Sequence, residues 1–296
     1  MRRGLILWFL LIYYCALGQD YFSNLRKISV EEGLSHYKVL SFLPEEDGMW
    51  IGTENGLNYY DGYQWKYWTQ DAGQLTNEGV NFIYKDQANR LWLFNTRTKV
   101  RPSTVMSIDI LNAQRDSIFS FDQLIGQEAP FSIEEIRHFF VDHQAFFYFY
   151  TERQCWQYAP GTGFKPISFP NGFVPNRRFP NGKFVGFQDH RLLIIDENQK
   201  VVYESEALIE SIDYSIKGTA QKFWLDHHES TCLIFEQKPQ GGYRVKPFLA
   251  EAQTHLFELM HYDEEKEQLW LTQEKGLYLF NNREQLIYKR EDIHPR

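Results

Sequence analysis

Apolar residues in this chain come in short aromatic and β-branched runs separated by polar turns, which is the pattern of strands rather than helices. Tyr37 to Leu43, Met49 to Thr53, Leu57 to Tyr60 and Tyr63 to Trp68 are four such runs in succession. Asp47-Gly48 and Asp61-Gly62 lie between them, and Asp-Gly favours a hairpin because tight turns need positive φ. The series recurs at Ile209 to Tyr214, Lys222 to Asp226, Thr231 to Phe235 and, after Gly241-Gly242, Tyr243 to Phe248. No long window keeps a helical period; Phe131 to Val141 comes nearest and is expected to open with one turn. The chain is therefore all-β, and barrels or doubly wound folds that need long amphipathic helices are excluded.

The series is also a repeat. Asp47-Gly48-Met49-Trp50-Ile51-Gly52-Thr53 with Gly56-Leu57 near one end matches Gln268-Leu269-Trp270-Leu271-Thr272 with Gly276-Leu277-Tyr278 near the other. Leu91-Trp92-Leu93 and Phe223-Trp224-Leu225 keep the first half of the unit, and Phe147 and Phe184 stand for Trp in weaker copies. Positions 50, 92, 147, 184, 224 and 270 span 220 residues in five steps, a mean of 44. About 40 to 45 residues per unit is the spacing of four-stranded propeller blades. Units near 37–68, 80–121, 135–169, 173–204, 209–248 and 255–289 predict a β-propeller of about six blades. In such a ring Trp50, Trp92, Trp224 and Trp270 fill the wedge between blades, and Gly52 lets a neighbouring strand approach closely.

Composition adds an address and removes a class of partner. The 296 residues include 24 Phe, 18 Tyr and 8 Trp, far too apolar a mixture for disorder. A net charge of −8 with no basic stripe argues against nucleic acid. Arg2-Arg3, the apolar run Leu5 to Leu17 and Ala16-Leu17-Gly18 read as a signal peptide over 1–18. Cleavage near Gly18 would leave 19–296 as an extracytoplasmic, periplasmic propeller; an uncleaved signal anchor is the other reading of the same run. Cys155 and Cys232 fall in non-adjacent units and suit neither a zinc knuckle nor a redox pair, so no disulfide between them is expected.

The run from Ile28 to Gly62, with Glu32-Gly33-Leu34-Ser35, Asp47-Gly48-Met49-Trp50-Ile51-Gly52-Thr53 and Asn55-Gly56-Leu57-Asn58-Tyr59-Tyr60-Asp61-Gly62, resembles the opening of the two-component regulator propellers. These are the extracytoplasmic sensor regions of Bacteroidetes-type hybrid histidine kinases. The resemblance implies seven-bladed propellers, glycan-fragment ligands, and an immunoglobulin-like domain, membrane helix and kinase further along the protein. It also implies that a strand near Phe22 to Val30 closes the ring as part of a seventh blade. On that plan the chain is the front piece of a longer sensor; the other reading is six blades that close on themselves. Kinase, receiver and helix-turn-helix motifs are absent from this sequence, so membrane contact and signalling output would come only through C-terminal segments outside it, and a homodimer is open to the full-length sensor.

Chemistry-bearing motifs are few. No nucleophile elbow, zincin helix or phosphate-binding glycine loop occurs, so no catalytic residue, metal or cofactor is assigned. Propeller ligands tend to meet the loops between second and third strands and between blades. Those loops supply the expected binding residues Asn55, Arg97, Lys99, Arg101, Arg153, His190, His227 and His228, suited to a small molecule or an anionic oligosaccharide. A self-contained exported propeller acting as a glycan-active enzyme or adhesion module is the alternative. Trp65 and Trp68, on an outer strand, would mark a partner surface.

Overall fold

The structure is a computed structural model that describes residues 28–96, 105–206, 215–226, 232–248, 257–263, 266–273 and 276–291. Blade one is β1 (Val39–Glu45), β2 (Gly48–Thr53), β3 (Gly56–Tyr60) and β4 (Trp65–Trp68). Blade two is β5 (Phe82–Lys85), β6 (Leu91–Thr96), β7 (Val105–Asn112) and β8 (Ser117–Ser120). Blade three is β9 (Ile136–Val141), β10 (Phe147–Thr151), β11 (Cys155–Ala159) and β12 (Gly163–Ile167). Blade four is β13 (Val174–Arg178), β14 (Phe184–Gln188), β15 (Arg191–Ile195) and β16 (Val201–Glu204). Blade five is β17 (Ser215–Gly218), β18 (Lys222–Asp226), β19 (Leu233–Gln237) and β20 (Tyr243–Pro247). Blade six is β21 (Phe257–Asp263), β22 (Gln268–Gln273), β23 (Gly276–Asn281) and β24 (Leu286–Glu291). Each sheet is an antiparallel meander in chain order, and the six make a six-bladed β-propeller. First strands meet across neighbouring blades, β1 with β5, β9 with β13 and β17 with β21, so they line the axis.

Local chemistry sets the strand ends. The Asp61 carboxylate accepts the N–H groups of Tyr63 and Gln64 at 2.8 and 2.6 Å, folding both into the turn and starting β4 at Trp65 rather than Tyr63. Gly62 beside it takes φ +93°. Ile133–Glu135 is the single helical turn expected before β9. A four-residue helix, α1 (Phe121–Leu124), has no counterpart in the strand pattern; Ser120 and Gln123 cap it reciprocally and it buries Phe121. Blade five's first strand begins at Ser215, and the stretch Ile209 to Tyr214 expected for it lies outside the described residues. The expected closing strand is not seen where the structure can be read: Ser29 caps a 3-10 turn over Val30–Glu32, ended by Gly33 at φ +115°, and Phe22 to Lys27 lie outside the described residues. The turn leads onto blade one, where the Ser35 N–H donates to Asn58 Oδ1 at 2.9 Å and Leu34 is buried.

Among the described residues, five apolar cores join successive blades. Trp50, Leu57 and Trp68 pack on Leu91 and Leu93. Trp92 and Phe94 pack on Phe139, Phe147 and Phe149. Tyr148 and Cys155 meet Phe184 and Ile195; Val185 and Ile194 meet Phe223 and Phe235; Trp224 and Ile234 meet Leu269 and Tyr278. Trp68 is thus core, not surface, being 5 % exposed. Cys155 and Cys232 are unbridged, buried in different inter-blade cores, and burial raises both thiols.

Two Trp equivalents move by one residue. Trp92 Nε1 donates to Asp86 Oδ2 at 2.9 Å, and Tyr148 OH donates to Asp142 Oδ2 at 3.1 Å, from matching turns in which the Asp N–H bonds the carbonyl four residues on. Tyr148, not Phe147, therefore occupies the Trp position. The turn from Phe179 to Lys183 places Val185, not Phe184, there in blade four. A one-residue slip turns a strand side chain to the other face, so Phe147 packs backward on blade two while Tyr148 packs forward on blade four. Trp270 is partly buried and, by strand alternation, stands on the face of blade six opposite Leu269 and Leu271.

Candidate ligand-binding site at the propeller axis

In a meander blade the loops after second and fourth strands open on one face and those after first and third strands on the other. Asn55, Arg153 and His190 all lie in second-to-third-strand turns and are exposed on one face, on blades one, three and four. Their local bonds are those of turns. Asn55 N–H and Arg153 N–H donate to Thr53 Oγ1 and Thr151 Oγ1 at 3.1 and 3.4 Å, and His190 shares a two-residue hairpin with Asp189, both at positive φ. Arg97, Lys99, Arg101, His227 and His228 lie outside the described residues.

The axis brings together a different set. Tyr84 on β5, Arg177 on β13 and Lys217 on β17 come from the first strands of blades two, four and five, the strands that line the axis, and the Tyr84 ring packs on Phe94, Phe139 and Phe147. Burial pushes the Tyr84 hydroxyl up to about 12, with the Arg177 charge pulling it down. Burial also lowers Lys217 below the ordinary lysine value of 10.5, and Arg177 lowers it further, against the opposing pull of Asp226. The Arg177 guanidinium is braced by an Nη1–H bond to the Ile216 carbonyl at 3.2 Å, which fixes it beside Lys217's own strand. Arg177 and Lys217 are both only partly buried, so the axis offers charge-assisted donors to an anion.

Sequence reading missed this pair. A Lys or Arg inside a first strand, as in Ser215-Ile216-Lys217-Gly218 and Pro175-Asn176-Arg177-Arg178, was no signal by itself, since Lys85 and Arg137 also sit in first strands. Neighbouring Arg178 shows the structural use of the same residue type. It lies on the opposite face of β13 from Arg177 and donates to Asp142 Oδ2 of blade three at 3.2 Å and to Glu197 at 3.4 Å. Among the described residues no group of three or more metal-ligating side chains gathers, and no helix is long and apolar enough to cross a membrane.

No known family model and no curated protein sequence matches the chain. Solved structures do. The extracellular domain assigned to a hybrid two-component system, BT3049 from B. thetaiotaomicron, superposes with TM-score 0.59 at 18 % identity, over 89 % of this chain and 36 % of that one. PorZ, a surface component of the type-IX secretion system of Porphyromonas gingivalis, gives 0.55 at 11 % identity, over 86 % and 33 %. Virginiamycin B lyase from Staphylococcus aureus gives 0.53 at 11 % identity, over 81 % and 79 %. The chain thus spans about a third of the length of the first two, and at these identities the likeness is one of fold.

Proposed function

We propose that this chain is an extracytoplasmic, ligand-sensing propeller of a two-component signalling protein, and that it binds an anionic glycan fragment at its axis. The observation that carries this reading is the placing of Arg177 and Lys217 on the first strands of neighbouring blades, with the Arg177 guanidinium bonded to the carbonyl of Ile216 next to Lys217. The propeller shared with BT3049's extracellular domain and the resemblance of Ile28 to Gly62 to sensor propellers supply the signalling context. Signalling output on this reading belongs to other segments of the protein, and the exposed face carrying Asn55, Arg153 and His190 frames one mouth of the axis.

The test is calorimetric titration of the full chain with a sulfated uronic-acid disaccharide and with its neutral counterpart, followed by mass spectrometry of the recovered sugar. Saturable binding of the anionic sugar, recovered intact, is expected. Lys217→Met and Arg177→Met should each weaken it roughly tenfold, about 1.4 kcal/mol. Absence of binding would overturn the axial reading. Recovery of cleaved sugar would favour the enzymatic alternative, in keeping with the lyase that shares the fold.

A further inference from the structure

We propose that the cleft between blades one and two is a second sugar-binding site, shaped for a neutral or amino sugar and not for an anionic one. The cleft holds about 460 Å³ and opens on the face of the first-to-second and third-to-fourth-strand turns, opposite Asn55, Arg153 and His190. Its wall is the partly buried ring of Tyr59, backed by Trp50 and Trp68, which keep only 6 % and 5 % of their surface exposed. Trp50 lies 4.5 Å from Tyr59 and 5.4 Å from Trp68 between ring centroids. Each outer ring is tied to a carboxylate of the lining: Tyr59 OH donates to Asp47 Oδ1 at 3.2 Å, and Trp68 Nε1 donates to Asp116 Oδ1 at 3.0 Å. The rings are thus held in place while each acid keeps a second oxygen and spare lone pairs for further donors.

A partly exposed tyrosine ring beside anchored carboxylates suits sugar recognition: a C–H face lies against Tyr59 and hydroxyls donate to the acids. Charge then selects the sugar. Glu45, Asp47 and Asp116 face Lys66 and Lys85, and Lys85 is spent on both oxygens of Glu45 at 2.8 and 2.7 Å. What is left is two carboxylates against one ammonium, which repels a sulfate or uronate and accepts hydroxyls, an N-acetyl group or an ammonium. The axis has the opposite sign, so the two sites would hold different units of one mixed glycan or two separate sugars.

Tryptophan emission of the full chain is the readout, with cellobiose and N,N′-diacetylchitobiose as probes and a sulfated disaccharide as competitor. At least one neutral probe should quench emission saturably, and the sulfated competitor should leave that quench in place. Asp116→Asn and Tyr59→Phe, which preserve shape, should weaken it at least fivefold, as should Asp47→Asn at the exposed rim, with thermal unfolding checking that each variant is folded. No saturable quench by either neutral probe, displacement by the sulfated sugar, or a quench indifferent to all three substitutions would overturn the proposal. Failure here with anionic sugar still bound at the axis would leave the sensor reading standing, and the reverse outcome would sink the axial site alone.

Discussion

Gly52 stands where β2 faces the strand entering blade two, and a Cβ there would strike the Val80 carbonyl and the Ser41 hydroxyl, which are already bonded to each other at 3.1 Å. Gly62 needs its missing side chain for a different reason: nothing lies within 4 Å, but φ is +93°. Gly52→Ala should therefore cost about 2 kcal/mol through steric displacement, and Gly62→Ala about 1 kcal/mol through backbone conformation. Urea unfolding midpoints check both, and equal effects would contradict the steric account of Gly52. Asp86 is more expensive still. Its buried carboxylate receives Arg90 Nε at 2.7 Å, Trp92 Nε1 at 2.9 Å and the N–H groups of Ala88 and Arg90. Asp86→Ala leaves those donors unpaired and should lose roughly 3 to 5 kcal/mol in the same measurement. Close approach at Gly52 was legible in the sequence because Trp-Ile-Gly sits in the best-kept repeat. Asp86 was not, since its role depends on a turn that brings the side chain back to Trp92.

Strands and turns were legible wherever side chains alone determine them, as in β18, which runs Lys222–Asp226 as the run of residues predicts. Register in blades three and four was not. Phe147-Tyr148-Phe149 offers large apolar residues to both faces, so hydrophobic pattern cannot choose between them, and the hydrogen bond to Asp142 decides. Between blades five and six, a charge network does work that no local motif announces. Lys222 and Lys246 both reach Glu284, at 3.0 and 2.8 Å, and both reach Glu236, at 3.2 and 3.5 Å. Burial favours a neutral Glu284, but the bonds and charges of Lys246 and Lys222 outweigh it and hold the carboxyl below its usual 4.5. A carboxyl lowered in the folded state stabilises above its unfolded pKa, and that contribution is lost as pH falls through the folded value. Wild type should thus lose an increment of stability on acidification below about pH 4.5, and Glu284→Gln should lack that increment while being less stable at pH 7. Thermal unfolding at pH 3.5 and 7 measures it; identical pH profiles would remove Glu284 from the explanation.

The whole ring rests on wedges of unequal depth. Trp92 is fully buried and touches Phe121, Phe147, Phe149 and Tyr158 as well as Phe94 on its own strand, with Phe147 centred 4.4 Å away. Trp270 is only partly buried. Trp92→Ala should cost about 3 to 5 kcal/mol and Trp270→Ala clearly less, although the repeat writes both residues alike. Sequence carried the six-blade architecture for a plain reason: each blade is local in the chain, so spacing reveals it. The axial centre is the opposite case, assembled from blades four and five, and no spacing announces that Arg177 is bonded to the strand carrying Lys217. Loop charge drew attention to Asn55, Arg153 and His190, but their bonds in the structure are those of turns, while the cations at the axis sit in strands. Affinity of the full chain for a sulfated uronic-acid disaccharide, followed by calorimetry from pH 7 upward in wild type and Lys217→Met, tests that centre directly. Because Lys217 loses its proton below the ordinary lysine value of 10.5, wild-type affinity should fall as pH rises through that lowered range, and the variant should bind weakly with a flat profile. Equal affinity and the same pH dependence in both proteins would contradict an anion site at the axis.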